Sequence, residues 1–411
     1  MSDYRQIKLK YVANIYNGNS IPDDQKDNYM GKSIPYIPTK ELDSEDGSIN
    51  YENGLSVDVN DGFRIAPAES VLMCIEGGSA GKKIGITNQP VAFVNKLCCF
   101  APIRIDPFLL YYCLKSKDFT DQFNLNMTGL IGGVSVSTLK NLFITIPSSI
   151  GNERIIADRI KEQIAKIDLL IANQLKQIEN LKEYKQTIVF NAVTKGLRSE
   201  VPLKESDAEW IGSIPEHWTT CRIKDLFSLR NERNYEALED VNLISLYTDQ
   251  GVVQHSDLTE TTGNKAVTAD GYKKVYKNDI VVNIILCWMG AVGMSKYDGV
   301  TSPAYDIYQP KNNTESEYYH FLFRTPRFNG ECFRYGRGIM LMRWRTYSTE
   351  FSSIRVPNPP IEEQKEIVEY LNDKTEKIDT LIGIKLKKIE SLQQYKKSII
   401  YEYVTGKKEV Q

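Results

Sequence analysis

The sequence predicts a mixed α/β (α+β) chain with a pseudo-two-fold internal duplication, in which two globular domains are separated by two long helices forming an antiparallel coiled coil. Three observations carry this: a long repeat, a heptad stripe inside each copy, and strand-like runs before each copy. The segment Ile150–Thr194 returns at Ile361–Thr405. Ile167-Asp168 recurs as Ile378-Asp379, Leu175-Lys176 as Leu386-Lys387, Ile178-Glu179 as Ile389-Glu390 and Tyr184-Lys185 as Tyr395-Lys396. A period this long marks two copies of a domain-plus-helix unit, not a solenoid.

Within the repeat, Ile160, Ile164, Ile167, Ile171, Ile178, Leu181 and Ile188 follow a 4-3 spacing, widened by Leu170 and Leu175. Leu371, Ile378, Ile382, Ile389, Leu392 and Ile399 repeat it, widened by Leu381 and Leu386. A period of about 3.5 with Lys, Glu and Gln between is a coiled-coil seam. Helices of ~36–44 residues would be ~55–65 Å long. Prolines at Pro147 and at Pro357, Pro359 and Pro360 end an extended segment, and Glu153, Glu362 and Glu363 suit a first helical turn. The two stripes either bury each other or each pack on their own globular domain.

Each helix follows a globular region of about 150 residues, an ordinary domain size. Ser33–Pro38, Ser70–Ile75 and Val91–Phe100 read as strands in the first, and Val241–Thr248, Asp279–Leu286 and Val300–Tyr308 in the second. Helical stretches follow at Phe108–Lys115 and Glu317–Arg324, then the glycine-containing loops NMTGLIGGVS and RYGRGIMLM, then a strand with proline, LFITIP or SSIRVP. The expected divisions are a first domain at 1–149, a central helix at 150–196, a linker and second domain at 197–360, and a C-terminal helix at 361–411. Trp210 and Trp218 in the linker are expected to pin it to an apolar surface. The globular halves have diverged further than the helices, which suggests one scaffold carrying two different readers.

Composition bounds the chemistry. The 411 residues carry 25% charged and 41% hydrophobic residues, an ordinary globular profile. No apolar run reaches the roughly 18 residues of a membrane span, and MSDYRQIKLK lacks the apolar core of a signal peptide. Seven cysteines without a C-x-x-C pair point to reduced thiols in a cytoplasm and away from structural zinc. The histidines His217, His255 and His320 are too scattered for metal or Ser-His chemistry. The net charge of −2 argues against a free-standing nucleic-acid binder, though not against one with local basic patches. Residues 320–347 hold six arginines against one glutamate.

That segment is the best local DNA signal: Arg334, Arg337, Arg343 and Arg345 offer planar donors for guanine or phosphate. The phenylalanines among them, Phe321, Phe323, Phe328 and Phe333, read mostly as core. Arg230 and Arg233, in a polar loop, and Lys40 are further candidates. GGSAGKKIG (Gly77–Gly85) fails the phosphate-loop pattern, since Glu76 stands where its first glycine is required and Lys83 where Ser or Thr is required. It remains either a turn between strands or a loop whose Lys82 and Lys83 reach phosphates. Asn358-Pro359-Pro360-Ile361 is similar to the amine-holding motif of amino-methyltransferases but has no ring to stack on a flipped base. A strand stop followed by a helix start accounts for it more simply.

The linker EWIGSIPEHW (Glu209–Trp218), the duplicated helix, the Glu362–Gln364 helix opening and the TGL/GGV loop before LFITIP resemble the specificity subunit of type I restriction–modification systems over essentially the full length. The EWIGSIPEHW element occurs once, before the second domain only. The resemblance implies two target-recognition domains, each reading half of a split double-stranded DNA target. It implies spacer helices that bind two methyltransferase (M) subunits, with restriction (R) subunits as optional further partners. It implies no catalytic residue and no cofactor in this chain, with S-adenosylmethionine carried by the M subunits. Two other functions fit parts of the sequence: an autonomous adenine methyltransferase using Asn358–Ile361, and a coiled-coil adaptor without a DNA role.

Overall fold

In the computed structural model, residues 4–44, 46–129, 132–148, 152–255, 268–339 and 344–408 are described. The chain forms two compact units, residues 1–175 with 385–411, and residues 176–384.

Unit 1 runs β1 (Tyr4–Lys8), β2 (Ala13–Asn17), β3 (Ile34–Ile37), β4 (Ser56–Val57), β5 (Ile65–Ala66), β6 (Val71–Cys74), β7 (Ile84–Ile86), β8 (Val91–Phe93), β9 (Leu97–Pro102), α1 (Pro107–Lys115), α2 (Lys117–Leu125), α3 (Val136–Leu139), β10 (Phe143–Pro147) and the first part of α4 (Asn152–Lys195). Its main sheet has the order β2-β9-β6-β7; a second has the order β4-β3-β8-β5, and β1 pairs with β10.

Unit 2 takes the rest of α4, then β11 (Leu203–Glu205), β12 (Ser213–Pro215), β13 (Thr219–Arg222), α5 (Ile223–Leu226), β14 (Phe227–Arg230), β15 (Ile244–Tyr247), β16 (Gly251–Gln254), β17 (Lys273–Val275), β18 (Ile280–Asn283), β19 (Val292–Met294), β20 (Gly299–Thr301), β21 (Tyr305–Pro310), α6 (Ser316–Phe323), α7 (Pro326–Tyr335), α8 (Ser348–Ser353), β22 (Arg355–Asn358) and the start of α9 (Ile361–Val404). Its main sheet has the order β14-β21-β18-β19, and β13 pairs with β22. The main sheet and ribbon repeat those of unit 1, a hairpin (β6-β7 or β18-β19) beside a central strand with a two-stranded ribbon leading into the long helix. Among the described residues, the second four-stranded sheet of unit 1 is matched in unit 2 only by the pairs β15-β16 and β17-β20.

Two of the strand-like runs are each two strands. Val91–Phe100 breaks at Asn95-Lys96, where Leu97 N–H donates to the Val94 carbonyl at 3.0 Å. Val300–Tyr308 breaks at Ser302-Pro303, where Tyr305 N–H donates to the Ser302 carbonyl at 3.1 Å. A polar pair inside an apolar run satisfies its own backbone in a turn.

The long helices close the core of each unit. In unit 1, Ile156, Ile160 and Ile167 of α4 share one buried cluster with Ile399, Ile400 and Tyr403 of α9 and with Leu109, Phe119 and Ile144 of the domain. Side chains of this size each contribute about 1.5–3 kcal/mol on burial. Lys396 Nζ pairs with Asp168 at 2.7 Å. In unit 2, Val189 and Val193 of α4 share a cluster with Ile367 and Leu371 of α9 and with Tyr319, Phe328 and Val356 of the domain, and Lys185 Nζ lies 2.7 Å from Asp379. The helix segments thus pack on each other and on the domain together. The widening leucines do not join them: Leu170, Leu175, Leu381 and Leu386 are 46–53% exposed. A two-helix seam fills one narrow stripe, and residues ~80° away on the wheel stay outside it.

The linker tryptophans are anchored within unit 2. Trp218 is fully buried and donates Nε1–H to Glu363 Oε2 at 3.0 Å. Trp210 donates to the Arg355 carbonyl at 3.1 Å. Gly196, which ends α4 at φ +70°, lies against the Trp218 ring, where a Cβ would come within 3.2 Å.

Candidate nucleic-acid interface

In both units one loop occupies the same place, and its surface chemistry differs. In unit 2 it follows α7. Arg337 and Arg345 exchange backbone hydrogen bonds of 2.9 and 3.0 Å, and Thr346 N–H donates to the Ile284 carbonyl, just beyond β18, at 2.9 Å. In unit 1 it follows α2. Thr128 and Gly133 exchange bonds of 2.9 and 3.0 Å, and Val134 N–H donates to the Ile75 carbonyl, just beyond β6, at 3.0 Å. The backbone fastening is the same; the side chains are arginine and aromatic in one and glycine, serine and threonine in the other.

The unit 2 loop is braced from below. Trp344 stacks on Phe333 at 4.8 Å between ring centroids and donates Nε1–H to the Phe333 carbonyl at 3.0 Å. Gly336 is required beneath it, because a Cβ there would come within 2.4 Å of Trp344 Nε1. Thr346 Oγ1–H donates to the Cys332 carbonyl at 2.8 Å. Phe323 and Phe328 are fully buried, whereas Phe333 is 39% exposed.

The arginines stand on this base. Arg334 is bidentate to Glu331, with Nε to Oε1 at 2.9 Å and Nη2 to Oε2 at 2.6 Å, and its side chain remains 66% exposed. Glu331 holds the guanidinium charged, raising its pKa above the ordinary value. Arg337 pairs with Glu350 and is 68% exposed. Arg345 is half-buried, and its side chain makes no hydrogen bond or ion pair with the described residues. Arg343 lies outside the described residues. Glu331 is buried and Glu350 mostly so, and these carboxylates orient the two guanidiniums while the arginine side chains stay exposed to meet a phosphate or guanine edge.

The remaining candidates lie elsewhere. Arg230 is committed to structure: Nε and Nη2 contact Asp279 at 2.9 and 3.1 Å, and the guanidinium lies 4.5 Å from the Tyr276 ring. Burial raises the Asp279 pKa, opposed by the Arg230 hydrogen bond. Arg233 donates to the Gly271 carbonyl at 2.9 Å. In unit 1, Lys83 bonds the Thr39 and Lys40 carbonyls at 3.2 and 3.5 Å, tying the β6-β7 turn to the 3-10 turn that holds Lys40. Lys40 is 80% exposed, 3.6 Å from Glu41, and Lys82 is exposed beside the Gly78 carbonyl at 3.2 Å. The GGSAGKKIG segment is therefore the turn of a hairpin leading into β7, with no helix behind it to complete a phosphate site.

Asn358–Ile361 is a strand-to-helix junction. Asn358 pairs with Thr219 in the β13-β22 ribbon, and the buried Gln364 side chain donates to the Pro359 carbonyl at 2.8 Å while accepting Glu315 N–H at 2.9 Å. That occupies the proline carbonyl an incoming amine would need. The other copy, from Ser149 on, lies outside the described residues. Among the described residues no three His, Cys, Asp or Glu side chains converge as a metal site, and no helix is long and apolar enough to cross a membrane.

His320 shows how polar groups here serve the frame. Its buried Nδ1 accepts Met294 N–H at 3.1 Å; burial first, then Arg324 and Lys296, lower its pKa from 6.5 to about 3. Between those values the unfolded chain takes up a proton that the folded chain refuses, so stability falls as pH drops below about 6.5. Thermal melts from pH 7 to pH 4 should show this loss, and His320→Asn should flatten it; an unchanged slope in the variant would assign it to other groups.

Sequence reasoning missed α2 and α7, the helices that deliver both loops. Their signals were present: Ser116 caps α2, and Thr325 caps α7 with Pro326 in its first turn.

Two equally fastened loops with unlike surfaces, each on its own copy of one α/β unit, define a duplicated recognition scaffold. The profile of the type I restriction modification DNA specificity domain matches residues 1–180 and 215–391. The chain is 25% identical to the type I restriction enzyme MjaVIII specificity subunit of Methanocaldococcus jannaschii, covering 99% of this chain and 97% of that protein. It is 23% identical to the EcoBI specificity subunit of Escherichia coli, covering 95% and 83%. Its fold is similar to a structure described under complex assembly and conformational transition of the type I R-M system, with a TM-score of 0.72 at 13% identity over 98% of both chains. The HsdS subunit from Thermoanaerobacter tengcongensis gives 0.53 at 14% identity over 98% and 97%. The chain belongs to the family of type I restriction–modification DNA specificity subunits, which recognise DNA and are not themselves catalytic.

Proposed function

We propose that this chain reads a split double-stranded DNA target, unit 1 recognising one half-site and unit 2 the other, and that it carries two M subunits that bind S-adenosylmethionine and methylate adenine. R subunits join the same assembly when the target is to be cut. The observation that carries this reading is the pair of equally fastened loops with different side chains: a common frame for two different sequences. Arg337 and Arg345 of unit 2 are the base-contacting candidates, with Arg334 beside them for a phosphate or a second base. Phosphate contacts position a protein on DNA and base contacts specify. The mild net charge fits a subunit whose partners supply part of the phosphate field. The bases recognised follow from side-chain placement on DNA and are read by experiment.

The test uses the chain assembled with its M partners and a library randomised at both half-sites. Arg337→Ala or Arg345→Ala is expected to relax preference at one position of one half-site by about ten- to a hundredfold. An arginine that contacts phosphate should instead weaken binding to all sequences evenly and flatten the salt dependence. Parent behaviour in Arg334, Arg337 and Arg345 variants at several salt concentrations would remove this loop as the reader.

A further inference from the structure

Unit 1 has no arginine at the loop that corresponds to the unit 2 hairpin. An open groove of about 780 Å³ lies there instead, lined by Asn17 at the end of β2, Glu76 after β6, Asn95 in the β8-β9 turn, and Thr128, Gly133 and Ser137 around the loop after α2. Its walls are fixed by backbone bonds: Gly77 N–H to the Gly132 carbonyl at 2.9 Å, Val134 N–H to the Ile75 carbonyl at 3.0 Å, and Ile75 N–H to the Lys96 carbonyl at 2.9 Å.

The polar side chains are not equally free. Ser135 Oγ lies 2.7 Å from Ser137 Oγ and 2.9 Å from Thr138 Oγ1, so these hydroxyls largely satisfy one another. Asn17 Oδ1 accepts Arg64 Nη1–H at 2.7 Å, which leaves the Asn17 amide with donors to offer. The exposed Glu76 carboxylate and Asn95 amide make no hydrogen bond with the described residues. An exposed carboxylate repels a phosphate backbone, so a DNA-facing Glu76 has to meet a base donor. The base edges with such donors in the major groove are the exocyclic amines, cytosine N4 and adenine N6. An asparagine amide matches adenine N6 and N7 together. Exposed Lys82 and Lys96, on the turns beside Glu76 and Asn95, can reach the flanking phosphates.

We propose that this groove is the base-reading surface of unit 1, taking amine-bearing base edges, with Glu76 selecting cytosine or adenine and Asn95 selecting adenine. The two half-sites are thus read by different chemistry: a carboxylate acceptor and amides that both accept and donate in unit 1, guanidinium donors in unit 2. This inference rests on the split-target reading above.

The experiment maps methylation by the assembled complex on a library randomised at both half-sites, for the parent, Glu76→Ala, Asn95→Ala and Arg337→Ala. Glu76→Ala is expected to lose about ten- to a hundredfold of preference at one cytosine or adenine. Asn95→Ala should lose as much at one adenine of the same half-site. The half-site altered by Arg337→Ala should stay as in the parent. Parent-like preference at every position in both groove variants would overturn the inference and leave the split-target reading standing. So would changes confined to the half-site that Arg337→Ala alters. A parent complex that modifies no split target would overturn the reading itself and this inference with it.

Discussion

Replacing Trp218 by alanine is expected to remove about 3–5 kcal/mol from unit 2, the usual cost of truncating a buried tryptophan. That corresponds to a melting point lower by roughly 6–20 °C. The residue is fully buried, and its indole N–H donates to Glu363 in the first turn of α9. Gly196, at the end of α4, rests on its ring. One side chain therefore ties the end of the first long helix to the start of the second. Alanine leaves a cavity and takes one donor from Glu363, which keeps its contact with His217 Nε2 at 2.7 Å. Trp218→Phe should recover part of the loss by filling the space without the hydrogen bond. Denaturant titration of all three proteins is the measurement, and an alanine variant within about 1 kcal/mol of the parent, a bound set well below the truncation range, would show that this anchor is dispensable.

A two-residue insertion after Leu175 in α4 is expected to abolish assembly, whereas a four-residue insertion should preserve it and change the target. The helix runs unbroken from Asn152 to Lys195, and its apolar residues pack against α9 within each unit. Two added residues rotate everything beyond them by ~200°, turning the stripe away; four add ~6 Å and nearly restore the phase. The gap between half-sites should then widen by one or two base pairs at ~3.4 Å each while the bases read stay the same. Modified-base mapping on a library of spacer lengths gives the answer. An unchanged gap in a well-folded four-residue variant would remove the helices as the determinant of spacing.

The long helices were legible because a strand alternates at every second residue and a loop has no period, so a 3.5-residue period held over many turns leaves only a helical seam. The exposure of Leu170 and Leu175 was not, since periodicity says where a stripe lies and not how wide its partner is. Strand positions were readable from apolar runs, but the turns at Asn95-Lys96 and Ser302-Pro303 hid inside them. Site residues were the least legible. Arg230 looked free because its partner Asp279 lies 49 residues away, and Lys83 because its acceptors lie 43 and 44 residues back. Glu76 and Asn95 sit among ordinary polar turn residues, and only the fold that brings their turns to one groove sets them apart. The arginine-rich segment was visible from composition alone; its division into Arg334 and Arg337, oriented by carboxylates, and Arg345, whose side chain pairs with no described residue, needed the hairpin.

Unit 1 is built from the first residues of the chain and the last. Tyr4 donates its hydroxyl to the Tyr403 carbonyl at 3.1 Å, and Ile399, Ile400 and Val404 complete the cluster around Ile160. A ribosome delivers those closing residues only after all of unit 2 has been made. The half that emerges first is therefore the half that matures last, and its unsealed apolar face must be kept from wrong contacts for the whole of synthesis. A premature stop near residue 384 would spare the later-made half and cripple the earlier one, an inversion of the damage a truncated message ordinarily does.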